Sequence, residues 1–452
     1  MSNESSNIMT EQPLIPQFLI AAPTSGSGKT LVARGLMATL ARRGLQVQPF
    51  KGGPDYIDTK FHAWAAGRPS VNLDLFMASA THVEELYAHY AQGADACIVE
   101  GMMGLFDGYD RDRGSSASLA ELLHLPVVLV VNAQSAAYST AALIAGFLHF
   151  HPALQIAGVL FNRVGSTRHF AMLQEVCADL QVPCFGYLPK DPLLEQSSRY
   201  LGLDFSQVER SDSWERLMSY MAETVRLEAL LEATRLPAPL PADPFRSVER
   251  RPVRIVVARH PESFTFIYTQ HLDLLGRMGE VSFFDPEQNK PLPEDTELLY
   301  LPGGYPEKQV ARLSQASCSR ESIRRYIEAG GRTLAECGGM IYLSQGLRVD
   351  ERPEPWPLVG ALPFAITAER AYKKLHLGYR QGSYQGVQLR GHEFHYTCVA
   401  DPESAPPSVV QLSDAKGHLC ATPVFRQERL LASYMHLYWG ELDIWKLLDE
   451  TK

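Results

Sequence analysis

Short, uninterrupted apolar runs alternate with amphipathic stretches along the first half of the chain. The runs "QFLIAAP" (17–23), "DACIVEG" (95–101), "PVVLVVNA" (126–133) and "IAGVLFNRV" (156–164) lack a polar face. Strands of that kind need cover on both sides, as in a parallel sheet between helices. "TLVARGLMATLARRG" (30–44) has helical spacing and closes on a glycine, a common helix terminator. "QVQPFK" predicts a second strand ending at Lys51. This alternation predicts a doubly wound α/β sheet. The stretch "EALLEATRLPAPLPADPFRSVERRP" (228–252) is proline-rich and charged and breaks the pattern. It restarts with "VRIVVARH" (253–260), "EVSFFD" (280–285), "ELLYLPGG" (297–304) and "GRTLAECGG" (331–339). The expectation is a flexible tail (1–16), an α/β domain (17–230), a linker (231–252) and a second α/β domain (253–452).

Composition narrows the classes. A chain of 452 residues exceeds a single core and fits two or three domains. A formal net charge of -9 argues against a nonspecific nucleic-acid binder. The seven cysteines (97, 177, 184, 318, 337, 398, 420) show no metal-ligand spacing, which reads as a reduced, cytoplasmic protein. The polar start "MSNESSNIMTEQPLIPQ" lacks signal-peptide order, and no apolar run has the length of a membrane span.

Candidate chemistry then appears at the strand ends. "APTSGSGKT" (22–30) lies between the first strand and the first helix, the context a phosphate-binding loop requires. Gly26, Ser27 and Gly28 would turn backbone N–H groups onto phosphate oxygens at a helix N-terminus. Lys29 would reach the terminal phosphates, and Thr30 would offer its hydroxyl to Mg²⁺. Pro23 stands where the usual pattern has its first glycine. In "PFKGGPDYIDTKFH" (49–62), Lys51 sits at the ligand-binding edge of the sheet, with Asp55 and Asp58 after a Gly-Pro turn. The two carboxylates either hold Mg²⁺ or orient a second substrate, or else cap the turn and the helix after it. Glu100 ends its strand where phosphate-loop enzymes place an acid in the metal shell. "GSSASLAELL" (114–123) offers a second helix start to an anion. Asn162 either reads a purine edge or serves as a turn residue.

In the second domain, "LAECGGMIY" (334–342) sets Cys337 between a short strand and a glycine pair, the layout of a nucleophile elbow. The alternative is a buried thiol packing as a small hydrophobe. His436 in "LLASYMHLYWG" is the candidate base. Gly303 and Gly304, with Gly338 beside the cysteine, are candidate oxyanion donors. Strand alternation turns Glu336 away from Cys337. "RGHEFHYT" (390–397) adds His392 and His395, which either bind substrate or are ordinary strand residues.

In order, "APTSGSGKT", "FKGGPDYID", "VEGMMGLFDG", "NRVGS", "LPGGYPE", "AECGGMIYL", "GHEFHY" and "SYMHLYWG" resemble the cobyrinic acid a,c-diamide synthase family over roughly residues 17 to 440. The resemblance implies a dethiobiotin-synthetase-like P-loop amide ligase fused to a flavodoxin-like class I glutamine amidotransferase. It implies Cys337 as nucleophile and His436 as base, without a third acidic member. Gly26, Ser27, Gly28, Lys29, Thr30 and Asn162 would serve ATP; Thr30, Asp55 and Glu100 the metal; Lys51, Asp55 and Asp58 substrate activation. ATP would phosphorylate a side-chain carboxylate of cobyrinic acid, and glutamine-derived ammonia, passed between the domains, would displace the phosphate. A homodimer is implied as well. The sequence departs from the family at Tyr200, where a histidine is common, and at His260, where an acid is expected; Pro23 is shared with it.

Rival readings keep the same motifs. Hydrogenobyrinic acid or nickel-sirohydrochlorin would be amidated by the same chemistry. A P-loop switch with an inactive amidotransferase would not need Cys337 and His436 intact. A Cys–His peptidase would not need the phosphate loop.

Overall fold

The computed structural model describes residues 12–197 and 212–449. The chain divides between Pro244 and Phe245 into two compact units, with residues 76–79 counted in the second. Tyr200 lies outside the described residues. No helix among the described residues is long and apolar enough to cross a membrane.

In the first unit the strands are β1 (Leu14–Ala21), β2 (Val47–Gly52), β3 (Val71–Leu73), β4 (Ala96–Glu100), β5 (Val127–Asn132), β6 (Ile156–Val164), β7 (Cys184–Pro189) and β8 (Arg235–Pro237). They order as β3-β2-β4-β1-β5-β6-β7, all parallel along that path. The helices between them are α1 (Lys29–Arg42), α2 (Asp58–Ala66), α3 (Ala80–Tyr90), α4 (Ser116–Leu122), α5 (Thr140–Phe150) and α6 (Thr167–Asp179). One sheet face, with Phe18, Ile20, Ile98, Val128 and Val130, packs on Val32, Leu36 and Leu40 of α1. The alternate residues Leu19, Val99, Leu129 and Val131 are equally buried, so both faces are covered, as the continuous apolar runs require. Each such side chain contributes about 1.5–3 kcal/mol of burial.

The structure corrects the expected tail and linker. Residues 14–16 and 235–237 pair antiparallel, so β8 joins the N-terminal end of the central strand β1. Gln17 strengthens this pairing by donating to the carbonyls of Leu236 and Pro237 at 3.2 and 2.9 Å. Proline is tolerated there because an edge pairing needs few donors.

The second unit has a main sheet of β9 (Arg254–Ala258), β10 (Glu280–Phe284), β11 (Leu298–Leu301), β12 (Arg332–Glu336), β19 (Val424–Gln427) and β20 (Leu430–Ser433). The order is β10-β9-β11-β12-β20-β19, and only β19 runs antiparallel. Two smaller sheets flank it. One joins β13 (Gly346–Val349), β14 (Arg352–Pro357), β15 (Ile366–Thr367) and β18 (Cys398–Val399). The other pairs β16 (His376–Tyr384) with β17 (Val387–His395), and β17 with β21 (His436–Leu437).

Candidate functional sites in the two units

In the first unit, β1 and β4 are neighbours at the centre of the sheet, and Lys51 of β2 lies in register with Glu100 of β4. Three chain segments therefore deliver side chains to the same carboxyl edge, where open α/β sheets bind ligands. The loop after β1 makes its turn at Gly26 (φ +77°) and Gly28 (φ +106°). A Cβ at Gly28 would lie 2.0 Å from Nδ2 of Asn162, so only glycine fits. Ser27 donates to the Thr24 carbonyl at 2.9 Å, which tightens the loop. Lys29 donates to the Met103 carbonyl, and burial lowers its pKa.

Thr30 donates to Oε1 of the buried Glu100 at 2.6 Å. Lys51 lies 3.1 Å from that same oxygen and 2.7 Å from Oδ2 of Asp58. One buried cation thus sits between two carboxylates. Burial opposes the lysine's charge, yet Asp58 and Glu100 outweigh it and raise its pKa. Burial also works against the charge of Glu100, but Lys51 and His62 hold its carboxyl well below the usual range. Asp58 is pushed upward by burial, despite Lys51, because Glu100 and Asp55 crowd it. Asp55 Oδ1 accepts the N–H groups of Ile57 and Asp58 at 2.8 and 2.7 Å, fixing the entry to α2. The turn-capping reading of Asp55 is therefore realised in the geometry.

A hydroxyl and a carboxylate oxygen at 2.6 Å beside a phosphate-type loop form a hard, all-oxygen donor set, which suits Mg²⁺. His62, which sequence reasoning passed over, closes the cluster: its Nε2 lies 2.6 Å from Oε2 of Glu100. It stands four residues after Asp58, so a helix starting there puts both on one face.

Asn162 reaches back to the phosphate-type loop: Nδ2 donates to the Ser27 carbonyl at 2.9 Å, and Oδ1 accepts the Arg163 N–H. It braces the loop, because the missing Cβ of Gly28 lets the amide close in. The helix start at 115–118 is also occupied internally. Ser115 caps α4 through the Ser118 N–H, and Ser116 exchanges two 2.9 Å bonds with the Met102 backbone.

In the second unit, Cys337 follows β12 with φ +46° and ψ -104°, the strained conformation of an elbow. Its N–H donates to the Ser433 carbonyl at 2.7 Å, tying the elbow to the end of β20. Three residues onward comes His436, whose strand β21 pairs with His392 of β17. The imidazole abuts Gly303 through its Cε1 edge: a Cβ there would come within 2.2 Å of Cε1. Gly338 in turn abuts Gly304, a Cβ on the former lying 2.9 Å from the latter's nitrogen. Cys337, Gly338, Gly304, Gly303 and His436 thus form one chain of contacts. The Cys337 thiol faces the Phe394 carbonyl at 3.9 Å. Burial, with Glu307 adding to it, raises the thiol pKa. Burial lowers His436 to about 3, so the imidazole rests neutral.

Glu336 points elsewhere, accepting the Tyr300 hydroxyl at 2.7 Å, and burial pushes its carboxyl up to about 8. His395 lies between Glu393 and the Thr397 carbonyl at 2.6 and 2.7 Å, stacked on Tyr434. Its donor atoms, with those of Glu393 and His376, fall within 4.8 Å of one another. Glu393 is already engaged by Arg380 and Thr422 as well, so the trio is a satisfied network and not an open metal site. His260 accepts the Ser263 N–H at 3.3 Å and serves its own turn.

Two protein-family models match the chain: a CobQ/CobB/MinD/ParA nucleotide binding domain over residues 18–202, and a CobB/CobQ-like glutamine amidotransferase domain over 254–443. The chain is 38% identical to the cobyrinate a,c-diamide synthase of Caldanaerobacter subterraneus subsp. tengcongensis, covering 96% of this chain and 97% of that one. It is 37% identical to the hydrogenobyrinate a,c-diamide synthase of Streptomyces coelicolor, covering 94% and 95%. The enzyme of that same name from Brucella abortus is 39% identical, covering 93% and 98%.

Proposed function

We propose, from the premise that this chain belongs to the family of cobyrinate and hydrogenobyrinate a,c-diamide synthases, that it amidates the a- and c-side-chain carboxylates of cobyrinate with ATP and glutamine. The observation that carries this reading is a match over 96% of the chain, spanning two units that each hold their own reactive cluster. Hydrogenobyrinate is the second reading, because relatives named for either substrate are about equally similar, at 38% and 37–39%.

Cys337 is the nucleophile in the glutaminase half. Its Sγ attacks the glutamine amide carbon while its proton passes to His436, which starts neutral and so can accept it. Gly304 and Gly338 offer N–H groups to the developing oxyanion. His436 returns the proton to the leaving ammonia, and water releases glutamate from the thioester. The elevated thiol pKa fits a nucleophile that ionises only as substrate arrives.

In the ligase half, a carboxylate is a poor acyl donor until one of its oxygens becomes phosphate. Lys29 and the loop N–H groups hold the ATP phosphates. Thr30 and Glu100, with Asp55 nearby, would hold Mg²⁺, which supplies charge neutralisation at the transferring phosphoryl group. Lys51 orients Asp58 and Glu100 and offsets the negative charge gathered there. Ammonia then attacks the acyl phosphate and phosphate leaves.

A cytoplasmic setting suits seven cysteines that are all free thiols. A homodimer is supported by α5, whose one ionisable residue is His149 and which buries only Thr140 and Ile144, leaving Leu143 and Phe150 exposed. Such a largely apolar face, free of Asp, Glu, Lys and Arg, is self-complementary.

The test is mass spectrometry of cobyrinate incubated with the protein, ATP, Mg²⁺ and glutamine, beside Cys337→Ala given glutamine or ammonium. Stepwise mono- and diamide formation, lost in the variant with glutamine and restored by ammonium, is expected. Wild-type protein that amidates cobyrinate from neither nitrogen source would sink the cobyrinate reading, and hydrogenobyrinate would be tried next.

A further inference from the structure

Glu100 has two carboxylate oxygens with different tasks. Oε1 meets the Thr30 hydroxyl and the Lys51 ammonium, whereas Oε2 meets only His62 among the recorded contacts. The terminal torsion of a glutamate is soft and roughly two-fold, so the side chain alone does not set which way the carboxylate faces. Lys51, a strong donor at 3.1 Å, would draw a free carboxylate onto itself through both oxygens. Something has to hold the far oxygen back.

His62 is built to do so. Its ring is fully buried on α2, and its Nδ1 lies 3.3 Å from the Ser70 hydroxyl. A hydroxyl that donates to Nδ1 leaves the proton on Nε2, the tautomer that can donate to Glu100. The helix also anchors Asp58, so one rigid element holds both the partner of Lys51 and the clamp on Glu100.

We infer that His62 is a positioning residue that clamps Oε2 of Glu100 so that Oε1 stays turned toward Thr30, where the cation of the nucleotide complex is held. This rests on the ligase half being a Mg²⁺–ATP site. Partners of metal-shell groups typically change metal affinity 10–100-fold when removed, roughly the range expected here.

The experiment uses the full chain as wild type, His62→Ala and His62→Gln, the last because its amide N–H can replace Nε2–H. Mn²⁺ binding is titrated by electron paramagnetic resonance with a non-hydrolysable ATP analogue, and analogue binding is measured without metal. Glutaminase activity and melting temperature report on folding. Weakening of Mn²⁺ binding by about 10-fold or more in His62→Ala is expected, with metal-free analogue affinity unchanged and recovery to within about threefold in His62→Gln. Equal Mn²⁺ affinity in wild type and His62→Ala would overturn the inference alone. So would a His62→Gln variant as weak as His62→Ala. Wild-type protein that binds neither analogue nor Mn²⁺ would overturn the nucleotide-site reading, and the inference with it.

Discussion

Replacing Gly303 with alanine should disable glutamine hydrolysis while leaving ammonia-dependent amidation in place. The new Cβ would stand 2.2 Å from Cε1 and 3.0 Å from Nδ1 of His436, where ordinary contact begins near 3.4 Å. The ring must therefore retreat by 3.4 - 2.2 = 1.2 Å. Gly303 is not among the positive-φ residues, so alanine is compatible with the backbone and the strain falls on the contact. The imidazole cannot yield freely, because it is buried and its strand is paired to β17. A displacement of about 1 Å at a reacting group costs on the order of 100-fold in rate, or about 2.7 kcal/mol of barrier. Ammonia release from glutamine would be followed by a coupled glutamate dehydrogenase assay, and amide formation from ammonium by mass spectrometry. A variant that keeps its glutaminase kcat within about threefold would refute the placement of His436 as base, since by this reasoning the ring could not have stayed where catalysis needs it. Loss of the ammonium-dependent reaction to an equal degree would refute the separation of roles, because Gly303 belongs to the second unit alone.

Three further outcomes follow from the geometry. Because burial and Glu307 hold the Cys337 thiol above its ordinary range, alkylation by iodoacetamide, tracked at Cys337 by peptide mass spectrometry, should still be accelerating above pH 9; a plateau reached near neutrality would mean a resting thiolate–imidazolium pair instead. Glu336 titrates at about 8 in the folded chain against 4.5 for the free side chain, so the folded state binds the extra proton between those values. Stability should therefore fall as pH rises from 4.5 toward 8, by at most roughly 5 kcal/mol, and Glu336→Gln should flatten that slope in the unfolding transition of the second unit; an unchanged slope would show that the carboxyl is already ionised. Gly28→Ala sets a Cβ 2.0 Å from Nδ2 of Asn162 at a φ of +106°, so nucleotide binding, measured calorimetrically, should drop by at least about 10-fold while glutaminase activity persists; normal binding would mean the loop is looser than its contacts imply.

The sequence made the central strands legible because burial on both faces leaves no room for polar residues, and β1, β4, β5 and β6 lie where the apolar runs are. It did not disclose β3, only three residues long, nor the β16–β17 hairpin, whose mixed exposure leaves no continuous apolar run. The 14–16 pairing with 235–237 was hidden for a different reason: both segments end in a proline, which locally reads as a breaker. Site residues divide the same way. Cys337, Lys51 and Glu100 announce themselves because each lies at or within one residue of a strand's end, and strand ends are where a parallel sheet exposes its chemistry. Asn162 also lies near the end of its strand, yet its packing is set by a void at Gly28, and the Ser27 carbonyl it grips is 135 residues away. His62 could have been found from helix spacing alone, given that α2 starts at Asp58, but its partner on β4 could not. What remains is the left-handed backbone at Cys337. Such a conformation costs a non-glycine residue on the order of 1–3 kcal/mol and persists only where its surroundings over-determine it. Here the N–H bond to Ser433 on one side and the glycine pair against Leu301 and Gly304 on the other supply that determination. A cysteine that served only as core filling would gain nothing from this strain, and a relaxed φ would pack equally well. The strained elbow, more than the residue type, is therefore what separates the nucleophile reading from the buried-hydrophobe reading that the sequence left open.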